Sequence, residues 1–253
     1  MRGPAAPAGA GERKRDGARS TLVWDVLRGV VAERAARSGR AVLDIVDVGG
    51  GTGGFAVPFA ALGHRVTVVD PSPDALAAAQ RRAAEMRVTL AAVQGDADEL
   101  ASLVGDGAAD LVICHSVLEY VDSPADAMAA IARVLRPGAT YLSQQIGAGS
   151  NRELTDFMMG PQPVNQSRSP LRVRAAATEV GLEVVRLEAC ALRVEFFDVA
   201  AVVHFLRKVP WTVPGFSADA FGAELRRMHD LIRRDGAFVS TAQRLLIEAR
   251  RPG

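Results

Sequence analysis

The residues best placed to do chemistry are Asp47-Val48-Gly49-Gly50-Gly51-Thr52-Gly53-Gly54, an acid followed by a glycine cluster. Glycines suit a tight bend in which a ligand approaches bare backbone. Gly49, Gly51 and Gly54 satisfy G-x-G-x-x-G, so a nicotinamide or flavin dinucleotide is one ligand such a bend serves. That pattern alone has little specificity. Three further features narrow the choice. Asp47, two residues before Gly49, suits a ligand bearing an amino group better than a pyrophosphate, which a carboxylate repels. Asp70 follows Asp47 by 23 residues, where a carboxylate can accept both hydroxyls of a ribose. Gly95-Asp96-Ala97-Asp98 closes a third apolar run, in place to pair with an adenine amino group. Together they describe a ligand built from adenosine and an amino acid.

These residues need a frame. Apolar residues at Leu22, Val23, Val26, Leu27, Val30 and Val31 predict a helix over 21–38, stopped by Gly39. Strands are then predicted over 41–48, 65–70, 87–93, 110–114 and 140–145, with helices over 55–62, 74–86 and 124–135 between them. Arg136-Pro137-Gly138 is expected to end the last of these helices. This alternation predicts an α/β fold with a mostly parallel, doubly wound sheet and helices on both faces. Beyond Gly147 the pattern loosens around a short segment at 153–159, then gives a helix over 171–180, a strand over 182–195, helices over 196–208 and 217–234, and a last strand over 238–249. The seven strands then enclose a C-terminal helical insertion. Phe197, Val199, Val203 and Leu206 can share one helical face, walling a cleft or covering a sheet edge. Trp211 and Phe216 either contact an acceptor or pack.

Composition bounds the reading. The 253 residues, 49% hydrophobic, suffice for one substantial core. With 30 Lys plus Arg against 29 Asp plus Glu, no global field draws the chain to nucleic acid or an anionic membrane. Residues 1–16 read as a flexible tail and 17–253 as one domain, with a cofactor half at 17–146 and an acceptor half at 147–253. No apolar core of a signal peptide and no stretch of roughly 20 apolar residues is found. Cys114 and Cys190 read as two reduced thiols of a cytoplasmic protein, and no metal-ligand cluster is predicted.

Over about residues 19–145 the sequence resembles the class I S-adenosylmethionine methyltransferases, of methyltransferase type 11 character, with a Rossmann-like seven-stranded sheet. The resemblance implies S-adenosylmethionine as cofactor. It places the methionine end along Gly49, Gly50, Gly51 and Gly53 beside Asp47, the ribose on Asp70, and the adenine between Asp96 and Ala97. Cys114-His115-Ser116-Val117-Leu118-Glu119-Tyr120-Val121 is similar to the matching segment of bacterial tRNA carboxymethoxyuridine methyltransferases, in which that histidine borders the cofactor. The same likeness sets Arg19 on the cofactor carboxylate, a bidentate pairing with a sound physical basis. A solvated arginine ending a basic tail is the plainer alternative. His115 could instead be a general base, but methyl transfer to a carboxylate or a nucleophilic amine needs none, so it is expected to pack on the cofactor. No catalytic residue is assigned, and Glu119 and Tyr120 either face the cleft or begin a helix.

The likeness to the tRNA enzymes extends to the closing strand at 243–250. It fails at 160–169, where their lysine-rich stretch is replaced by Arg168 alone. Phosphate contacts dominate nucleic-acid affinity, so a small-molecule acceptor is expected, with tRNA as the alternative. An NAD-dependent oxidoreductase and a non-catalytic cofactor-binding module are the other classes to separate. Neither the identity of the acceptor nor the oligomeric state is encoded in these motifs.

Overall fold

The computed structural model describes residues 10–115, 117–118, 121 and 123–253, with side chains from residue 24 onward. Nine helices and seven strands occur among the described residues, in the order α1 Ala10–Ser38, β1 Asp44–Val48, α2 Ala56–Ala61, β2 Arg65–Asp70, α3 Pro73–Glu85, β3 Ala91–Gln94, α4 Leu100–Val104, β4 Ala109–His115, α5 Pro124–Val134, β5 Leu135–Ile146, α6 Arg152–Met159, α7 Pro170–Glu179, β6 Glu183–Phe196, α8 Val199–Lys208, α9 Gly222–Asp235 and β7 Phe238–Arg250. A short 3-10 turn, Gln166–Arg168, precedes α7.

The strands form one sheet of order β3-β2-β1-β4-β5-β7-β6. β1 to β5 pair in parallel, whereas β7 is antiparallel to both β5 and β6. Central strands alternate between two buried faces, as a sheet covered on both sides requires. Val46, Val48, Val112 and Tyr141 pack under α4, α5 and α7, while Ile45, Leu111, Ile113 and Leu142 pack under α1, α2 and α3. A third cluster gathers Leu154 and Met158 of α6, Val202 and Leu206 of α8, Met228 and Ile232 of α9, and Phe196 and Phe238 at the ends of β6 and β7.

Several boundaries differ from expectation for local reasons. The first helix begins at Ala10, so residues 10–16 of the expected tail are helical. β3 starts at Ala91 because the chain leaves α3 through Arg87 in the left-handed region, and Val88 N–H donates to the Ala83 carbonyl. Arg136-Pro137-Gly138 does not separate helix from strand. β5 already begins at Leu135, and its register against β4 shifts between the pairs Ala109–Leu135 and Leu111–Thr140. Helix α4 was not anticipated. Helix α8 begins only at Val199, where the Asp198 carboxylate accepts from Ala201 N–H at 2.7 Å. Phe197 therefore lies outside the helix and is 58% exposed, and Val202 and Leu206 form the buried face instead.

At the amino ends of the central strands, Asp110 is wholly buried among cations. Arg40 and Arg136 approach Asp110 Oδ2 at 2.9 Å, Arg34 approaches Oδ1 at 3.2 Å, and Asp44 N–H donates to Oδ2 at 3.0 Å. This cluster ties α1, β1, β4 and β5 together at the end opposite the glycine bend.

Candidate cofactor and acceptor site

The bend after β1 is fixed by backbone bonds: Gly49 N–H donates to the Val69 carbonyl at 2.7 Å and Gly53 N–H to the Gly50 carbonyl at 2.9 Å. Gly49, at φ +62°, has no room for a side chain, since a Cβ there would lie 2.3 Å from Val117 Cγ2. A Cβ on Gly50 would meet the Asp47 carboxyl at 2.8 Å. At Gly51, also in the left-handed region, nothing among the described residues lies within 4 Å of the Cβ position, so its backbone is left bare. A ligand can reach it there.

Asp70, at the carboxyl end of β2, closes the bend. Gly51 N–H donates to its Oδ2 and Ser72 N–H to its Oδ1, both at 2.9 Å. Each carboxylate oxygen retains a further acceptor site, enough for a pair of hydroxyls. Gly95 N–H donates to the Asp70 carbonyl at 3.3 Å, which brings Asp96 and Ala97 alongside; Ala97 is buried and the Asp96 side chain is exposed.

Asp47 is the electrostatic peculiarity of the site. It is 1% exposed, and its Oδ2 has no hydrogen-bond partner among the described residues. Burial pushes its carboxyl up to about 7, the backbone N–H of Ala56 pulls it down, and the charge of Asp70 raises it further. A buried acid with no cation beside it among the described residues fits a ligand that brings one.

His115 ends β4 with its ring centroid 5.4 Å from that of Phe55, which lies 5.2 Å from Trp24. Burial, then the positive charge of Arg244, lowers the His115 imidazole to about 4. The ring is neutral at neutral pH and weak as a base. Its Nδ1 is buried without a partner among the described residues. Phe55 and Trp24 are contributions the sequence reading missed; an aromatic directly after the glycine cluster was the available signal. The Arg19 side chain, Glu119 and Tyr120 lie outside the described residues.

Past β5 lies a cavity of about 230 Å³, lined among others by Asn151, Arg168, Phe205, Trp211 and Arg244. Its walls are tied: Ala148 N–H donates to the Arg168 carbonyl at 3.1 Å, and Thr155 Oγ1 to the Thr212 carbonyl at 3.0 Å. Trp211 belongs to this lining, whereas Phe216 packs with Phe221 at 5.7 Å between ring centroids. Neither a cluster of metal-ligating side chains nor a helix long and apolar enough to cross a membrane occurs among the described residues.

Residues 46–143 match the family model described as a methyltransferase domain. The chain is 42% identical over 94 residues to a ubiquinone biosynthesis O-methyltransferase of Alkalilimnicola ehrlichii, covering 37% of this chain and 38% of that protein. It is 32% identical over 122 residues to the tRNA 5-carboxymethoxyuridine methyltransferase of Escherichia coli K12, covering 47% and 45%. The chain thus spans less than half the length of either relative. A solved Bacillus halodurans protein assigned as a methyltransferase superposes with a TM-score of 0.62 at 18% identity, over 88% of this chain and 99% of that one, a likeness of fold. Residues 46–143 thus match a methyltransferase domain, and the chain shares the α/β fold of that solved protein.

Proposed function

We propose that the chain transfers a methyl group from S-adenosylmethionine to a small-molecule acceptor seated in the cavity past β5. The observation that carries this reading is the buried carboxylate of Asp47, without a cation partner among the described residues, beside a bend whose Gly51 backbone no described atom covers. When bound, S-adenosylmethionine supplies a methyl group already activated by its sulfonium charge. Asp47 would hold the ammonium group, and bare backbone at Gly49, Gly50 and Gly51 would admit the methionine end, with Gly53 shaping the turn into α2. Asp70 would accept the ribose hydroxyls while still gripping Gly51 and Ser72. Ala97 would floor the adenine, and Asp96 would pair with its amino group. His115 would pack against the cofactor with Phe55; an imidazole near 4 is poorly suited to take a proton at neutral pH. Arg19, on α1, would reach the cofactor carboxylate. What remains for the protein is alignment and exclusion of water, to which positioning at about 3 to 3.5 Å contributes most. Helices α6, α8 and α9, with residues 147–253 as a whole, form the acceptor side in this reading.

A dinucleotide fits less well, because its pyrophosphate would lie against two carboxylates, Asp47 and Asp70. The likeness to the E. coli tRNA enzyme favours a second reading, methylation of a wobble-uridine carboxylate. The sparse positive charge at 160–169 tells against it. Calorimetry with S-adenosylmethionine, S-adenosylhomocysteine and NAD separates the classes. Binding of the first two without NAD is expected; NAD binding alone refutes the proposal, and cofactor binding without methyl transfer to any metabolite or RNA identifies a non-catalytic module.

A further inference from the structure

The cavity past β5 has a chemistry that narrows the acceptor. Its described lining holds three arginines, Arg152, Arg168 and Arg244, against one acid, Asp156. Arg152 spends its charge on Asp156 at 3.1 Å. Arg168 sits with its guanidinium carbon 5.7 Å from the centre of the Trp211 ring, and no acidic side chain pairs with it among the described residues. Cation and aromatic face thus form one shelf. Asn151, 5% exposed and in the left-handed region at φ 55°, carries a side-chain carbonyl without a partner among the described residues. Such a buried acceptor calls for a donor.

Size and location complete the case. An apolar cavity of about 150 Å³ takes a benzene, so one of about 230 Å³ takes a single substituted ring. At the carboxyl ends of the strands Val48 pairs with Cys114, His115 with Gln144 and Ile146 with Arg244, and Ile146 and Arg244 line the cavity. The cavity therefore adjoins the cofactor bend.

We propose that the acceptor is a monocyclic planar anion, a ring carboxylate or phosphate, with its charge on Arg168 and its ring against Trp211 and Phe205. A donor group on the ring would satisfy Asn151. This rests on the methyl-transfer reading only in naming the occupant an acceptor; the binding itself stands apart from turnover.

The test uses the full chain and a probe panel of benzoate, 4-hydroxybenzoate, nicotinate and phenyl phosphate against benzamide and phenol. Binding is read by calorimetry, with Trp24 left in place. At least one anion should bind at least about tenfold more tightly than the neutral rings. Arg168→Met should abolish that preference, and Arg168→Lys should retain part of it. Trp211→Ala should weaken anions and neutral rings alike. Thermal melting establishes that each variant folds. Equal binding of anions and neutral rings across the panel, or a preference that survives Arg168→Met, overturns the proposal. An RNA stem-loop that binds through Arg168 when no panel member does overturns it in favour of a nucleic-acid acceptor. S-adenosylhomocysteine binding, measured in the same samples, keeps the two readings apart: its loss refutes the cofactor assignment, while its persistence without anion binding refutes only this inference.

Discussion

Replacing Asp47 by Asn should make the cofactor-free protein more stable above neutral pH and cripple cofactor binding. The carboxyl releases its proton at about 7 in the folded chain against an ordinary 3.8. The folded state then holds more protons than the unfolded one between those values, so this group's contribution to stability falls as pH rises through that window. At about 1.4 kcal/mol per pH unit the full loss is about 4 kcal/mol, of which about 3 kcal/mol falls between about pH 5 and pH 8. His115 works in the opposite sense. Its folded value of about 4 lies below the ordinary 6.5, so the unfolded state binds the extra proton there and stability rises with pH across that range. The two slopes oppose each other, which is why the variant is needed. Asn keeps the shape and an oxygen to accept from Ala56 N–H, but it cannot ionise.

The assay is chemical denaturation of wild type and Asp47→Asn over about pH 5 to 8 without cofactor, taking the difference between them at each pH. The variant should gain on the wild type by about 3 kcal/mol across the range. Calorimetry supplies the functional half. Below about pH 7.7 a ligand α-ammonium stays charged, so wild-type affinity for S-adenosylmethionine should fall about eightfold from about pH 7.5 to pH 6 as Asp47 takes up its proton. The variant should bind weakly with little pH dependence. A stability difference that stays flat with pH, or an Asp47→Asn protein that binds the cofactor as tightly as wild type, refutes the reasoning.

Other perturbations probe the remaining parts. Asp70→Ala strips acceptors from Gly51 and Ser72 as well as from the ribose, so melting should show a loss of about 2 kcal/mol and cofactor affinity should fall about 100-fold or more. Normal affinity would remove Asp70 from the site. His115→Ala should weaken cofactor binding while leaving the rate profile between about pH 6 and 8 unchanged in shape, because the imidazole titrates near 4; disappearance of a limb near neutrality would make His115 the base. Asp110→Ala leaves three arginines crowded without their buried counter-charge, and denaturation should register a loss of about 3 to 5 kcal/mol. The residual folded protein should still bind cofactor, since this cluster lies at the far end of the strands.

The places of the glycine bend after β1 and of Asp70 at the end of β2 were legible in the sequence because both obey local rules. A bend that admits a ligand must be glycine over consecutive positions, and an apolar strand that ends on an acid announces itself. Helices α3 and α5 were legible for the same reason: Ser72-Pro73 and Ser123-Pro124 cap and open them, with each serine hydroxyl accepting an N–H three residues on at 3.2 Å. Where the outcome was set by distant partners, the sequence misled or said nothing. The shift of register at residues 135–140 depends on β4, and the inward face of α8 depends on a cap at Asp198 and on packing against α9 and β6.

The proton affinities at the centre of the site are of this second kind. Nothing in Asp47-Val48 or Cys114-His115 distinguishes a buried acid held near 7 or an imidazole held near 4 from ordinary ones; enclosure decides both. The cavity past β5 carries the point furthest. Asn151, Arg168, Phe205 and Trp211 lie at separate points between β5 and β7, Arg244 lies within β7, and the five share no spacing pattern. A cofactor common to many chemistries demands a bend that can be read from consecutive residues. An acceptor peculiar to one protein needs only that side chains meet in space, so acceptor identity is the part of such a protein that sequence alone conveys least and a cavity conveys most.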